Sequence, residues 1–163
     1  MRIKILLFCL ALLLAFVGCA PSHTDFFAPF QGAFSARMEG EWQGTVFEAE
    51  VIASAPDESG ARVMTLTFYA PSTLCGTVLK RDETGALSLA SGELSLTLSG
   101  TAAEGYGALF ALFPTSGEVL RITRENDDTR LDGVGFSLLF APDGTPIAAE
   151  NDTASVQIKR FVR

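Results

Sequence analysis

The chain has 163 residues, with 19 acidic against 12 basic side chains, for a net charge of −7. That balance disfavours nucleic acid and opposes binding to anionic lipid headgroups. The single histidine, His23, precedes the folded part, so a histidine-based triad or a histidine-ligated zinc site is excluded there.

The first element is an export signal. Arg2 and Lys4 precede an apolar run, Ile5–Val17. The run fits the ~7–15-residue core of a secretory signal and falls short of the ~18 residues of a spanning helix. It ends in "FVGC", Phe16 to Cys19, which resembles the lipobox of bacterial lipoproteins. In that family the cysteine thiol is joined to diacylglycerol, and the chain is cut between the positions that match Gly18 and Cys19. Phe16 stands where that family usually has leucine. The alternative is an ordinary signal peptide cut near Ala20, with Cys19 incidental. The lipobox reading divides the chain into a signal peptide (1–18), a lipidated tether (19–25) and a domain (26–163). A diacylglyceryl group supplies two acyl chains and a stable anchor, where a lone chain holds only weakly. The expected location is therefore the extracytoplasmic face of the cell membrane. In a Gram-negative source it is the outer membrane, because Ala20 rather than Asp follows the cysteine.

Cys9 leaves with the signal and Cys19 is acylated, so Cys75 has no partner for an intramolecular disulfide. Within "PSTLCGTV" it reads as a small core hydrophobe.

The domain opens with "DFFAPFQGAFSARM". Phe27, Phe30 and Phe34 have helical spacing, although Pro29 and Gly32 oppose a long helix. Period-two alternation follows. Phe47, Ala49 and Val51 share a face, as do Met64, Leu66 and Phe68. Leu87 and Leu89, then Leu94, Leu96 and Leu98, then Leu120 and Ile122 repeat the pattern. Phe136, Leu138 and Phe140, and finally Val156 and Ile158, complete it. These read as half-buried antiparallel strands, polar outside. Turn signals separate them: "PDESG", "RDETG", "SG" at 91–92, "NDD" at 126–128, "DG" at 132–133 and "APDGTP". Between the strands, Tyr106, Leu109, Phe110 and Phe113 follow i, i+3, i+4, i+7, and predict a short amphipathic helix ended by Pro114. The fold class is mainly β: one domain, a curved antiparallel sheet with one or two short covering helices.

This layout, with "TFYAPSTLCGTVLKRD", "LLFAPDGTPIAAE" and "ASVQIKRF", resembles the lipoprotein-carrier superfamily of LolA and LolB. It is most similar to uncharacterised lipoproteins of Gram-positive anaerobes. The resemblance spans about residues 26–162 and rests on element order, on Pro71, Leu74 and Gly76, and on Asp143, Gly144 and Pro146. It implies a half-open barrel with helices as a lid over an apolar cavity that receives acyl chains. In the soluble carrier an arginine on an early strand ties the lid shut; Arg37 lies nearest that place.

Other constellations have plainer readings. Glu48 and Glu50, with Glu39 and Glu41 upstream, suit acid–base work, but alternate glutamates on a strand are ordinarily a solvated face. Asn126, Asp127, Asp128 and Asp132 offer oxygens to calcium, but a polar hairpin accounts for them. "GYG" (105–107) and "DGVG" (132–135) lack the strand-to-helix context of a phosphate loop.

No cofactor, metal or enzymatic activity is expected. The leading expectation is a non-enzymatic, membrane-anchored lipoprotein holding a lipid or other apolar ligand. Its cavity would be lined by Phe68, Leu96, Tyr106, Leu109, Phe110 and Phe113. The alternative is a cell-envelope interaction module without a small ligand, in which the same residues fill the interior. Its partner would be another envelope protein.

Overall fold

The structure is a computed structural model and describes residues 25–163. The signal peptide, the cut at Gly18 and Cys19, and most of the tether lie outside the described residues. The elements run α1 (Ala28–Gln31), β1 (Phe34–Trp42), β2 (Thr45–Ala53), β3 (Met64–Ala70), β4 (Val78–Arg81), β5 (Leu87–Ser91) and β6 (Leu94–Thr97). Then come α2 (Gly100–Phe110), β7 (Val119–Glu125), β8 (Asp128–Gly133), β9 (Phe136–Phe140), β10 (Pro146–Glu150) and β11 (Ala154–Val162).

All eleven strands form one antiparallel sheet in the order β6-β5-β4-β3-β2-β1-β11-β10-β9-β8-β7. The sheet is curved and unclosed, with β6 and β7 as its edges. It consists of two meanders, β1–β6 and β7–β11, joined where the first strand pairs with the last. That seam is tight. A Cβ on Gly40 of β1 would lie 2.1 Å from the Ser155 carbonyl oxygen and 2.7 Å from Val156 Cα on β11.

Local chemistry sets the hairpins. Trp42 pairs with Thr45 across Gln43 and Gly44, both at positive φ, and Glu125 pairs with Asp128 across Asn126 and Asp127, also both positive. Two-residue loops with positive φ at both positions match the twist of antiparallel strands. The sequences "DESGA" (57–61) and "DETGA" (82–86) make the same loop twice. In each, one aspartate oxygen accepts from the backbone N–H two and four residues on and from the intervening hydroxyl. Both loops sit at one end of the sheet, flanking β3 and β4.

The period-two reading holds through the middle of the sheet. Phe47, Ala49, Val51, Met64, Leu66, Phe68, Leu138, Phe140, Val156 and Ile158 are all buried. The concave side is filled by an aromatic cluster. Phe30 has its ring centroid 5.7 Å from Phe34, 5.9 Å from Phe113 and 5.8 Å from Phe161. Every residue of this core lies within the described part, so residues 25–163 carry their own core.

Several expectations change. The aromatic segment forms only a four-residue helix with Pro29 in its first turn, and Phe34 already begins β1. Pro favours a helix start and Gly32 ends it, so the helical spacing has no length to act over. The "DG" turn falls two residues later, on Val134 and Gly135, because Gly133 pairs with Phe136. Cys75 is exposed, in the turn between β3 and β4, rather than in the core. A turn places its residues outside the ladder, whatever their polarity. Finally, the edge strands are not half-buried: Leu94, Leu96, Leu120 and Ile122 are all exposed. Alternation assigns residues to a shared face, but these faces have nothing packed over them.

Candidate functional site

The candidate site is the concave face of the sheet with the two segments that cover it. Phe68, Leu109, Phe110 and Phe113 are buried within one core cluster. Helix α2 ends at Phe110, so Phe113 follows it in the turn before Pro114 rather than on the helix. Tyr106 is half-buried, with its ring 4.8 Å from that of Trp42. Leu96 does not join them. It stands on edge strand β6 and is 63% exposed, because β6 lies beyond the reach of α2. The structure therefore brings five of the six predicted residues together and leaves the sixth outside.

Polar contacts fix the cover. The Asn151 side-chain amide donates to the Ala108 carbonyl at 2.7 Å, which ties α2 to the turn before β11. Arg62, just before β3, reaches both covering segments. It donates to the Phe30 carbonyl of α1 and to the Phe113 carbonyl beyond α2, the latter at 3.3 Å. Its guanidinium carbon also lies 5.3 Å from the centre of the Phe34 ring. Arg62 is only 6% exposed, and burial lowers its pKa, with Arg81 adding repulsion. Arg81, the last residue of β4, donates to the Met64 sulfur at 2.9 Å and lies 5.4 Å from the centre of the Phe110 ring. Burial lowers its pKa too. Both arginines line a cleft of about 500 Å³ between the two aspartate loops and the Phe110–Ser116 turn.

Sequence reasoning missed both arginines, although a signal was present. Arg62 continues the inward register of Met64, Leu66 and Phe68, and Arg81 that of Leu79. An arginine in phase with a core stripe is pointed at the core. Arg37, the residue expected nearest the lid, faces the other way. It forms an ion pair with Glu48 at 2.7 Å and stacks on the Tyr69 ring at 3.6 Å.

The outer face is a charge network. Glu50 accepts from Arg160 and Tyr69, both at 3.2 Å, and Glu39 pairs with Lys159. The carboxylates considered for acid–base work are thus engaged by cations on the solvated side. Asn126 and Asp127 form the β7–β8 hairpin turn, and Asp132 accepts from Arg130, Arg121 and Ser137.

Arg130 first, then Arg121, holds the Asp132 carboxyl down at about 2, from an ordinary 3.8. A carboxyl depressed on folding contributes stability that is present above the unfolded value and lost as pH falls through the folded one. Stability should therefore decline between about pH 4 and about pH 2, and Asp132→Asn should flatten that part of the profile. Urea midpoints at closely spaced pH values measure it; an unchanged slope in the variant would exclude this pair as the cause.

No protein-family model matches the chain, and no curated protein matches it. Among solved structures, it is similar to an uncharacterized conserved protein from Thermus thermophilus, at 14% identity and a TM-score of 0.55, over 85% of this chain and 83% of that one. It is also similar to a putative outer membrane lipoprotein-sorting protein domain from Vibrio parahaemolyticus, at 9% identity and a TM-score of 0.47, over 85% and 88%. MucB matches at 15% identity and a TM-score of 0.47, over 89% of this chain but 59% of its own. The likeness to the Thermus protein is one of fold.

Proposed function

We propose that the protein is a membrane-anchored extracytoplasmic lipoprotein, non-enzymatic, whose covered concave face opens to hold a lipid or other apolar ligand. Residues 1–18 are the signal peptide, Cys19 carries the diacylglyceryl group, residues 19–25 are the tether, and 26–163 form the binding domain. The ligand would lie against Phe68, Tyr106, Leu109, Phe110 and Phe113. The observation that carries this reading is Arg62. It pins α1 and the end of α2 through two carbonyls, yet no carboxylate among the described residues balances its charge. Hydrogen bonds to a charged group favour the closed cover, while the desolvated guanidinium opposes it. Opening rehydrates that charge, so the two forms lie close in free energy and a modest ligand affinity can shift the balance.

A second reading rests on a different observation. Both sheet edges are uncovered, and Leu94 is 74% and Leu120 65% exposed. Exposed edge strands with apolar side chains suit strand addition by another envelope protein.

Native mass spectrometry of residues 20–163, gently purified, separates the two. A co-purifying lipid and saturable binding of a fluorescent fatty acid support the carrier. Absence of both favours the interaction module. The anchor is tested separately: Cys19→Ala should abolish incorporation of labelled fatty acid into the full-length protein. Normal labelling of that variant would remove the lipobox reading.

A further inference from the structure

Charge is distributed unusually in this molecule. On the outside, Arg37, Arg121, Arg130, Lys159 and Arg160 each have a carboxylate partner. Inside, Arg62 and Arg81 form no ion pair with any described residue, and residues 1–24 contain no Asp or Glu to supply one. The chain has acidic side chains in excess, 19 to 12, yet its two most desolvated cations go without. Burying a guanidinium without a countercharge is costly, and nothing in the packing alone repays it.

The two residues also converge. Arg81 lies opposite Met64 in the β3–β4 ladder, and Arg62 continues the same inward stripe two residues before Met64. Both open onto the cleft of about 500 Å³, a size typical of small-molecule sites. The acidic residues on its rim do not neutralise them. Asp82 is turned into its own loop, accepting from the Thr84 and Ala86 backbone and the Thr84 hydroxyl. Glu83 is exposed on the same loop. The remaining wall is apolar: Phe110, Phe113 and Pro114. A guanidinium fork matches the oxygens of a phosphate or carboxylate.

We propose that Arg62 and Arg81 form an oxyanion receptor for the phosphate or carboxylate headgroup of an acyl amphiphile, whose tail lies along Phe110 and Phe113. This deepens the carrier reading and rests on it for the tail, though not for the headgroup. Binding neutralises both arginines. It also competes for the Arg62 donors that hold the Phe30 and Phe113 carbonyls, so the headgroup itself loosens the cover.

The test is calorimetric titration of residues 20–163 with dodecyl phosphate, dodecanoate, dodecanol and inorganic phosphate. Both anionic amphiphiles should bind at least about tenfold more tightly than dodecanol, since a hydrogen bond to a charged group is worth about 1.5–3 kcal/mol. Arg81→Gln should remove that advantage and leave dodecanol binding unchanged. Its thermal midpoint should be no lower than the parent's, because an unbalanced charge has been removed. Arg81→Lys, which keeps the charge but not the fork, should fall between and serves if Arg81→Gln does not fold. Equal binding of charged and uncharged amphiphiles, insensitive to Arg81, would overturn the receptor and leave the carrier standing. Inorganic phosphate binding as tightly as dodecyl phosphate would overturn the amphiphile. Binding of none of the four would overturn both readings together.

Discussion

Leu109→Glu should leave the domain unfolded at 25 °C, whereas Phe110→Glu, one residue on, should still fold. Both side chains are buried in the same core, at 0% and 1% exposure. Volume and burial alone predict similar losses, and a phenylalanine lost costs at least as much as a leucine. The difference is electrostatic. A buried carboxylate without a partner carries a penalty of several kcal/mol, comparable with the whole stability of about 5–15 kcal/mol of a small domain. At position 109 no described cation stacks on or pairs with the side chain. At position 110 the Arg81 guanidinium already lies 5.4 Å from the ring centre and has no carboxylate of its own among the described residues. The new carboxylate would meet an existing unbalanced charge. Urea unfolding of the two variants, with Arg81→Gln added to each, measures the coupling. If Arg81→Gln harms both variants equally, Arg81 does not reach position 110 and its charge is balanced elsewhere.

The second large effect is Phe30→Ala, with an expected loss of about 3–5 kcal/mol. Phe30 is fully buried and packs edge-on against Phe34, Phe113 and Phe161, so it joins α1 to β1, to β11 and to the segment after α2. Truncation leaves a ring-sized void between elements from opposite ends of the chain. It also frees the backbone whose carbonyl accepts from Arg62. Equilibrium urea unfolding gives the loss. A fall of less than about 1 kcal/mol would mean that α1 is a loosely attached flap rather than part of the core. Phe30→Leu, which keeps most of the volume, should recover much of the difference.

How far these features could be read in advance differs from strand to strand. The central strands were legible because both conditions for alternation hold there: the side chains alternate, and the inward face is covered. Leu66 and Phe68 are buried for that reason. Leu94 and Leu96 alternate just as cleanly and are exposed, because whether a face is covered depends on strand order, which pattern does not encode. The helix over 100–110 was legible from spacing, and its end was not. Phe113 continues the helical period yet lies in a turn, held by contacts with Phe30 and Phe34 that come from far away in the chain. Arg62 was the largest omission. A charge beside "SGA" suggests a solvated turn, and only its phase with Met64 contradicts that. The outer glutamates read correctly as a solvated face, although their pairing with Arg37, Arg160 and Lys159 depends on cross-strand register that sequence leaves open.

The pairing of the first strand with the last also bears on how the protein is made. Residues 34–42 can form a hairpin with β2 early, but their other edge waits for residues 154–162, the last strand of the chain. For a chain that leaves the cell N-terminus first, the sheet has no complete form until translocation is over. Until then each meander ends in a bare strand at what will become the middle of the sheet. The final segment works as a clasp, and a chain truncated before Ala154 would present two sticky half-sheets to the quality-control proteases outside the cell rather than a slightly shorter protein.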